Sequence, residues 1–234
     1  MHLFYTPDIE GDHYILNPEE SKHCIRVLRF KEGDVMVSVD GKGNWYTGEI
    51  EDADAKACSV KVTGKKEKFG MRPFRLHLAI APTKNIDRIE WMLEKCTEIG
   101  IDEITLLNTE HAERRMVKEE RLEKVIIAAM KQSLKAYLPQ LNPMTDFREF
   151  VSSCRETSRF IAHCHEGDKQ RLDVVYHPGE DVVILIGPEG DFSEKEVEEA
   201  VCCGFVPVTL GTSRLRTETA GIVACHSVNF MNKI

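Results

Sequence analysis

Two segments of the chain set chemistry-bearing residues directly behind apolar, strand-like runs. In the first, Val183-Ile184-Leu185-Ile186 leads into Gly187-Pro188-Glu189-Gly190-Asp191-Phe192-Ser193. In the second, Val208-Thr209-Leu210 leads into Gly211-Thr212-Ser213-Arg214-Leu215-Arg216-Thr217-Glu218. Two glycines in a turn let a backbone approach a ligand closely, and ligands of open parallel sheets bind beyond the carboxyl ends of the strands. The turn at 187–190 is therefore a ligand-site candidate, against a plain strand-to-helix turn. Arg214 and Arg216, between a strand end and a helix start, suit the reading of a phosphate or carboxylate, against mere solvent-facing charge. Thr217 and Glu218 suit the first turn of a helix, where the macrodipole already accounts for an acidic residue. If the strands ending at Ile186 and Leu210 are neighbours, both turns face one crevice. The chain has no G-x-G-x-x-G and no G-x-x-x-x-G-K-[ST], so dinucleotide and P-loop binding lose their usual support.

Other candidates are weaker. His163 and His165 alternate on an expected strand at 160–164 and so share a face, but no further ligands stand at a metal-binding spacing, and no metal is expected. Lys22, Arg26 and Arg29 fall at i, i+4 and i+7, one face of a short helix. Arg114, Arg115, Lys118 and Arg121 form a second basic cluster, and for both groups the alternative to RNA contact is a solvated helix face. With 31 Lys and Arg against 39 Asp and Glu, the 234-residue chain carries a net charge of −8. That balance argues weakly against nonspecific nucleic-acid binding, so any RNA-binding role needs locally concentrated positive charge.

A hydrophobic content of 42% with mixed charge excludes disorder and collagen. No run approaches the ~20 apolar residues of a membrane span, and the opening Met1-His2-Leu3-Phe4 begins no signal peptide, so a cytoplasmic protein is expected. Eight cysteines lie scattered without C-x-x-C spacing, as expected of free, mostly buried thiols.

The elements that position these residues follow from periodicity. Asn17-Pro18-Glu19-Glu20 opens a short helix reaching His23 to Val27. Val35, Val37 and Val39 alternate up to the turn Asp40-Gly41-Lys42-Gly43, and Trp45 to Ile50 resumes the extended pattern, a hairpin. After a polar break at 65–73 come apolar runs at 76–81, 104–107, 160–164, 182–186 and 206–210, with helices near 86–99, 118–136, 145–153, 193–203 and 217–231. Ser193 and Glu196 are spaced as a capping box, with Phe192 and Val197 as a hydrophobic staple. Strands alternating with helices predict an α/β fold with a mainly parallel sheet covered on both faces, preceded by a small β-barrel-like module. The domains are accordingly expected at 1–72 and 73–234.

Together the segments GPEGDFS and LGTSRLRTETA resemble the knotted methyltransferases of the SPOUT superfamily. More narrowly, they resemble the family that methylates N3 of a uridine, conventionally numbered 1498, in 16S ribosomal RNA. The likeness extends to Glu90-Trp91-Met92-Leu93-Glu94-Lys95-Cys96-Thr97-Glu98-Ile99-Gly100, to His23-Cys24-Ile25-Arg26-Val27-Leu28-Arg29, and to Gln132-Ser133 followed by Lys135 and Pro139. Lys84 stands where the family often has a basic residue. Asp191 stands where a third glycine is common, Lys131 and Lys135 replace a usual Glu and Arg, and the opening residues lack the usual early Arg.

The resemblance implies an N-terminal PUA-like RNA-binding domain and a SPOUT-type parallel sheet with a C-terminal trefoil knot. It implies S-adenosylmethionine as cofactor, 16S rRNA in the 30S subunit as substrate, and action as a homodimer. On this reading backbone groups around Leu185, Gly187, Gly190, Leu210 and Leu215 cradle the cofactor's adenosine, with Glu189 and Gly211 also at the cofactor. Arg214 or Arg216 stabilises the uracil anion or grips a neighbouring phosphate, and Glu218 is a possible proton acceptor. Lys22, Arg26, Arg29, Lys84, Arg114, Arg115 and Lys135 are the expected RNA contacts. The competing readings are a knotted methyltransferase for another RNA nucleotide or a ribose hydroxyl, and a noncatalytic RNA-binding or ribosome-assembly protein.

Overall fold

A computed structural model describes all 234 residues. The chain divides into two compact units: Met1–Met71 together with Ile127–Leu138, and Arg72–Ile126 together with Pro139–Ile234.

The first unit holds β1 (Leu3–Tyr5), β2 (His13–Ile15), α1 (Pro18–Lys22), β3 (Val35–Val39), β4 (Trp45–Asp52) and β5 (Ser59–Lys66). These strands form one five-stranded sheet in the order β1-β3-β4-β5-β2. The expected hairpin is present, with Val35 opposite Glu49 and Val39 opposite Trp45. The sheet is an open one, ending in β1 and β2. It encloses Phe4, Tyr14, Leu16, Cys24, Met36, Ile50, Cys58 and Val60. A second cluster joins Leu3, Val39 and Trp45 to Met130 and Ala136, which is why 127–138 belongs with this unit.

Asn17 caps α1 by accepting the Glu20 N–H at 2.9 Å, and Pro18 occupies the first helical turn. The helix does not continue as an α-helix. It widens into a π-type turn at His23–Val27, and Arg29 follows with φ of 61°. Lys22, Arg26 and Arg29 therefore do not lie on one α-helical face, because the i, i+4, i+7 stacking requires 3.6 residues per turn throughout. All three are exposed.

The second unit is a parallel α/β sheet. It comprises β6 (Leu76–Ile80), α2 (Ile86–Ile99), β7 (Glu103–Asn108), α3 (Glu119–Gln132, whose last residues pass into the first unit), β8 (Gln140–Asp146), α4 (Phe147–Ser153) and β9 (Ser158–Ala162). The remainder is β10 (Gln170–Arg171), α5 (Leu172–Val175), β11 (Val182–Ile186), α6 (Glu194–Cys202), β12 (Val206–Thr209) and α7 (Thr217–Met231). The strand order is β10-β12-β9-β11-β6-β7-β8, and every pairing is parallel. β6 and β11 are buried along their whole length, as the central strands of a sheet covered on both faces must be. β8 and β10 were not among the expected strands. No helix is long and apolar enough to cross a membrane.

All eight thiols are free, but only Cys24, Cys58, Cys96 and Cys225 are buried. Cys164 and Cys202 are exposed, so the expectation of mostly buried thiols holds for half of them.

Candidate functional site

The carboxyl ends of three adjacent strands come level. Ala162 at the end of β9 lies opposite Ile186 of β11 on one side and Val208 of β12 on the other. The strands preceding the two glycine turns are thus not direct neighbours, because β9 stands between them. The crossover through α6 carries the chain past β9 before it re-enters the sheet. All three strands run in the same direction, so the turns still share a crevice, now with a third wall after β9. The hollow measures about 1060 Å³. Its lining includes His163, Cys164, His165 and Lys169, which sequence reasoning did not assign to the site, and Arg88 from α2.

Each wall has a local origin. Ser193 caps α6, accepting the Glu196 N–H, while the Glu196 carboxylate accepts the Ser193 N–H at 2.9 Å; this is the expected capping box. Phe192 is fully buried and Val197 packs against the same cluster. Gly187 is required by close approach: a Cβ there would lie 3.0 Å from the Phe192 backbone nitrogen. Gly211 is required by conformation, with φ of 142° and open space where a side chain would project.

The walls are tied to one another by polar contacts. The Asp191 carboxylate accepts the Cys164 N–H at 2.6 Å and the Phe192 N–H at 2.9 Å. His165 Nε2 donates to the Phe192 carbonyl at 2.6 Å. Lys169 Nζ donates to the carbonyls of His163 at 3.2 Å and His165 at 2.5 Å. β9 ends at Ala162, so His163 and His165 lie on a loop rather than alternating on a strand, though their rings remain 5.6 Å apart.

Gly187, Glu189, Gly190, Leu210, Gly211 and Leu215 line the hollow. Leu185 does not: its side chain lies in the core with Val183 and Phe192, and the lining position belongs to Ile186, one residue nearer the strand end. The Glu189 carboxylate accepts the Lys84 N–H at 3.0 Å, which fixes it against the segment after β6. Arg214 and Arg216 are exposed and line the hollow. Glu218 lies behind the lining with 5% exposure. Its Oε1 is 4.0 Å from Arg88 Nε, while its Oε2 is buried without a partner.

The expected RNA-contacting arginines of this unit are occupied structurally. Arg114 donates to the carbonyls of Thr83 at 3.2 Å and Lys84 at 2.6 Å. Arg115 donates to Asn108 Oδ1 and to the Glu110 carbonyl. Lys84 pairs with Glu113 at 2.8 Å, and Arg121 bridges Asp87 and Glu90. Isolated basic side chains in a sequence carry no sign of such partners, because loops bring the acceptors in. Lys135 lies in the first unit, its N–H donated to the Met130 carbonyl.

The lining combines apolar atoms with charged side chains, Arg88, Lys169, Glu189, Asp191, Arg214 and Arg216, and so fits a ligand with an apolar body and polar or charged edges. Ile186, Leu210, Leu215 and Ala220 offer apolar contact and the glycine turns offer backbone at close range, while the two ring nitrogens of His163, a lining residue, are buried and have no partner in the protein.

Comparison with known proteins agrees with this architecture. A family model described as an RNA methyltransferase domain matches residues 71–229, and one described as an RNA methyltransferase PUA domain matches residues 16–63. A crystal structure of a probable rRNA-methyltransferase from Porphyromonas gingivalis is 46% identical, covers 100% of this chain and 99% of its own, and superposes with a TM-score of 0.95. A ribosomal RNA small subunit methyltransferase E from Neisseria gonorrhoeae, bound to S-adenosyl methionine, is 25% identical over 99% of this chain and 98% of its own, with a TM-score of 0.88. The protein of the same description from Buchnera aphidicola is 25% identical over 98% of this chain and 92% of its own.

Proposed function

The chain belongs to the RNA methyltransferase family, and from that premise we propose that it methylates N3 of a uridine, the one conventionally numbered 1498, in the 16S rRNA of the 30S subunit, using S-adenosylmethionine. The observation that carries this reading is the convergence of the turns after β9, β11 and β12 on one hollow with Arg214 and Arg216 in its lining. The SAM-bound relative of the same fold supports the cofactor assignment. The reading includes a C-terminal trefoil knot, a homodimer, a PUA-like RNA-binding role for the first unit, and a cytoplasmic location.

Bound S-adenosylmethionine supplies an electrophilic methyl group on a cationic sulfonium. Ile186, Gly187, Gly190, Leu210, Gly211 and Leu215 hold it, and their apolar atoms and backbone exclude water. Exclusion favours a reaction in which an anion and a cation neutralise each other. Uracil N3 is a poor nucleophile until its proton leaves; on this reading the proton passes to solvent water before the site closes over the base, so the protein's task is to favour the anion. Arg214 or Arg216, with no partner drawing its guanidinium away, places positive charge against the uracil oxygens, and the other grips a phosphate. Glu218 is a positioning residue on this reading: its carboxylate faces Arg88 and orients that guanidinium in the wall. N3 lies on the pairing edge, so the target base is presented unpaired.

The test is methyl transfer to 30S subunits from cells lacking the modification, with the product mapped by mass spectrometry. The expected product is a single N3-methyluridine. Substituting alanine at the arginine that faces the base lowers the transfer rate by about 10²–10³-fold while cofactor binding is retained. A methyl group on another atom, or no transfer despite cofactor binding, overturns the reading.

A further inference from the structure

We propose that His163 is a recognition residue for the adenosine part of the bound cofactor, an inference that rests on the cofactor reading above. His163 is one of the residues lining the hollow, and its Nδ1 and Nε2 are both shut off from solvent with no hydrogen-bond partner in the protein. Buried polar groups are nearly always satisfied, so an imidazole unpartnered at both ends and sited in a ligand hollow calls for a partner from outside the chain.

The surrounding groups do not supply one, because each is engaged elsewhere. Lys169 Nζ is held by the backbone carbonyls of His163 and His165. His165 Nε2 is held by the Phe192 carbonyl, and the Asp191 carboxylate by the N–H groups of Cys164 and Phe192. These contacts fix the backbone of the loop after β9 and leave the His163 ring as the loop's side chain with buried, unpartnered polar atoms.

The state of the ring selects the kind of ligand. Burial, the nearby Lys169 charge and His165 lower its proton affinity, against a smaller opposing pull from Asp191. A neutral imidazole offers one donor and one acceptor. That pair matches the uncharged donor and acceptor edges of adenine and ribose better than it matches an ammonium or a carboxylate. Because both nitrogens are out of reach of solvent in the ligand-free chain, recognition on this proposal requires the ring to turn as the ligand binds.

Calorimetry on the full chain with S-adenosylmethionine and 5′-methylthioadenosine, which lacks the charged amino-acid tail, tests the assignment. His163→Phe keeps the ring and removes both nitrogens. The expected result is that it weakens both ligands by about ten-fold, the equivalent of one hydrogen bond, without lowering the melting temperature of the ligand-free protein. His163→Gln, which keeps a donor and an acceptor, recovers part of the affinity and serves as the second variant if the Phe protein fails to fold. Wild-type affinity for both ligands in His163→Phe overturns the proposal, as does a loss confined to S-adenosylmethionine, which assigns the ring to the tail. If the wild-type chain binds neither ligand, the cofactor reading itself fails.

Discussion

Asp191 and Cys164 stand 27 residues apart in the chain, yet the Asp191 Oδ2 atom accepts the Cys164 N–H at 2.6 Å. With Oδ1 the same carboxylate caps the Phe192 N–H. One side chain thereby joins the turn after β11 to the loop after β9, two of the three walls of the hollow. Asp191 does so with φ of 65°, in the left-handed region that Asp tolerates better than most residues. A glycine here eases the backbone; the aspartate adds a tie that glycine lacks.

Replacing Asp191 by Gly relieves the backbone and removes both hydrogen bonds. Each is worth about 0.5–1.5 kcal/mol, or more with an ionised acceptor, so cofactor affinity is expected to fall about ten-fold by calorimetry. Asp191→Asn keeps one acceptor and should fall between the two. Undiminished affinity in the Gly variant shows that the loop is held by other contacts.

Gly187→Ala puts a Cβ 3.0 Å from the Phe192 backbone nitrogen, with the Phe192 ring at 3.1 Å. Neither neighbour moves freely, because Phe192 is fully buried. Overpacking of this kind costs about 1–3 kcal/mol. The expected outcome is a lower melting temperature together with weaker S-adenosylmethionine binding, read by differential scanning fluorimetry with and without the cofactor.

Lys22, Arg26 and Arg29 are exposed on the first unit, whereas Arg114 and Arg115 are anchored by hydrogen bonds in the second. Glutamine at the first three should weaken rRNA binding and reduce the slope of log affinity against log salt by about 0.7–0.9 for each phosphate no longer neutralised. Arg114→Ala should instead loosen the segment at Thr83 and Lys84, visible as faster amide exchange there. Equal salt slopes for wild type and the triple variant remove the first unit's residues from the RNA interface.

Glu156 gives the pH dependence. Burial pushes its carboxyl up, but hydrogen bonds from His77 Nδ1 at 2.6 Å and Cys154 Sγ at 2.9 Å outweigh burial and hold it at about 2. The unfolded chain, with the ordinary value of 4.5, takes up this proton at higher pH than the folded one. The contribution is therefore complete above about 4.5 and is lost as pH falls towards about 2. Urea denaturation in that window should show a shallower fall in stability for Glu156→Gln than for wild type; parallel curves contradict the linkage.

Much of the local structure was legible because its causes lie within a few residues. The capping box at Ser193, the Asn17 cap, the hairpin across Asp40 and the run from Ile184 through the glycine turn each follow from side chains that act on their own backbone. β8 was not legible. Its Gln-Leu-Asn-Pro-Met-Thr-Asp has no buried run, and it becomes a strand because it lies at the sheet edge, where Pro143 needs no ladder partner and β7 supplies the pairing. The π-type widening after Lys22, in which Cys24 is buried in the core of the first unit, was equally hidden.

By itself, the sequence determined the parallel α/β class, the two glycine turns behind apolar strands, and the arginines that follow the second. Periodicity and turn chemistry are short-range properties, so they survive in a linear string. Only the tertiary structure decided that β9 lies between those strands, that its loop closes the hollow with His163 and Lys169, that the Leu185 side chain turns into the core, and that Glu218 sits behind the lining beside Arg88. Sheet order and side-chain partners depend on contacts between residues far apart in the chain, and no local pattern encodes which distant strand will lie alongside.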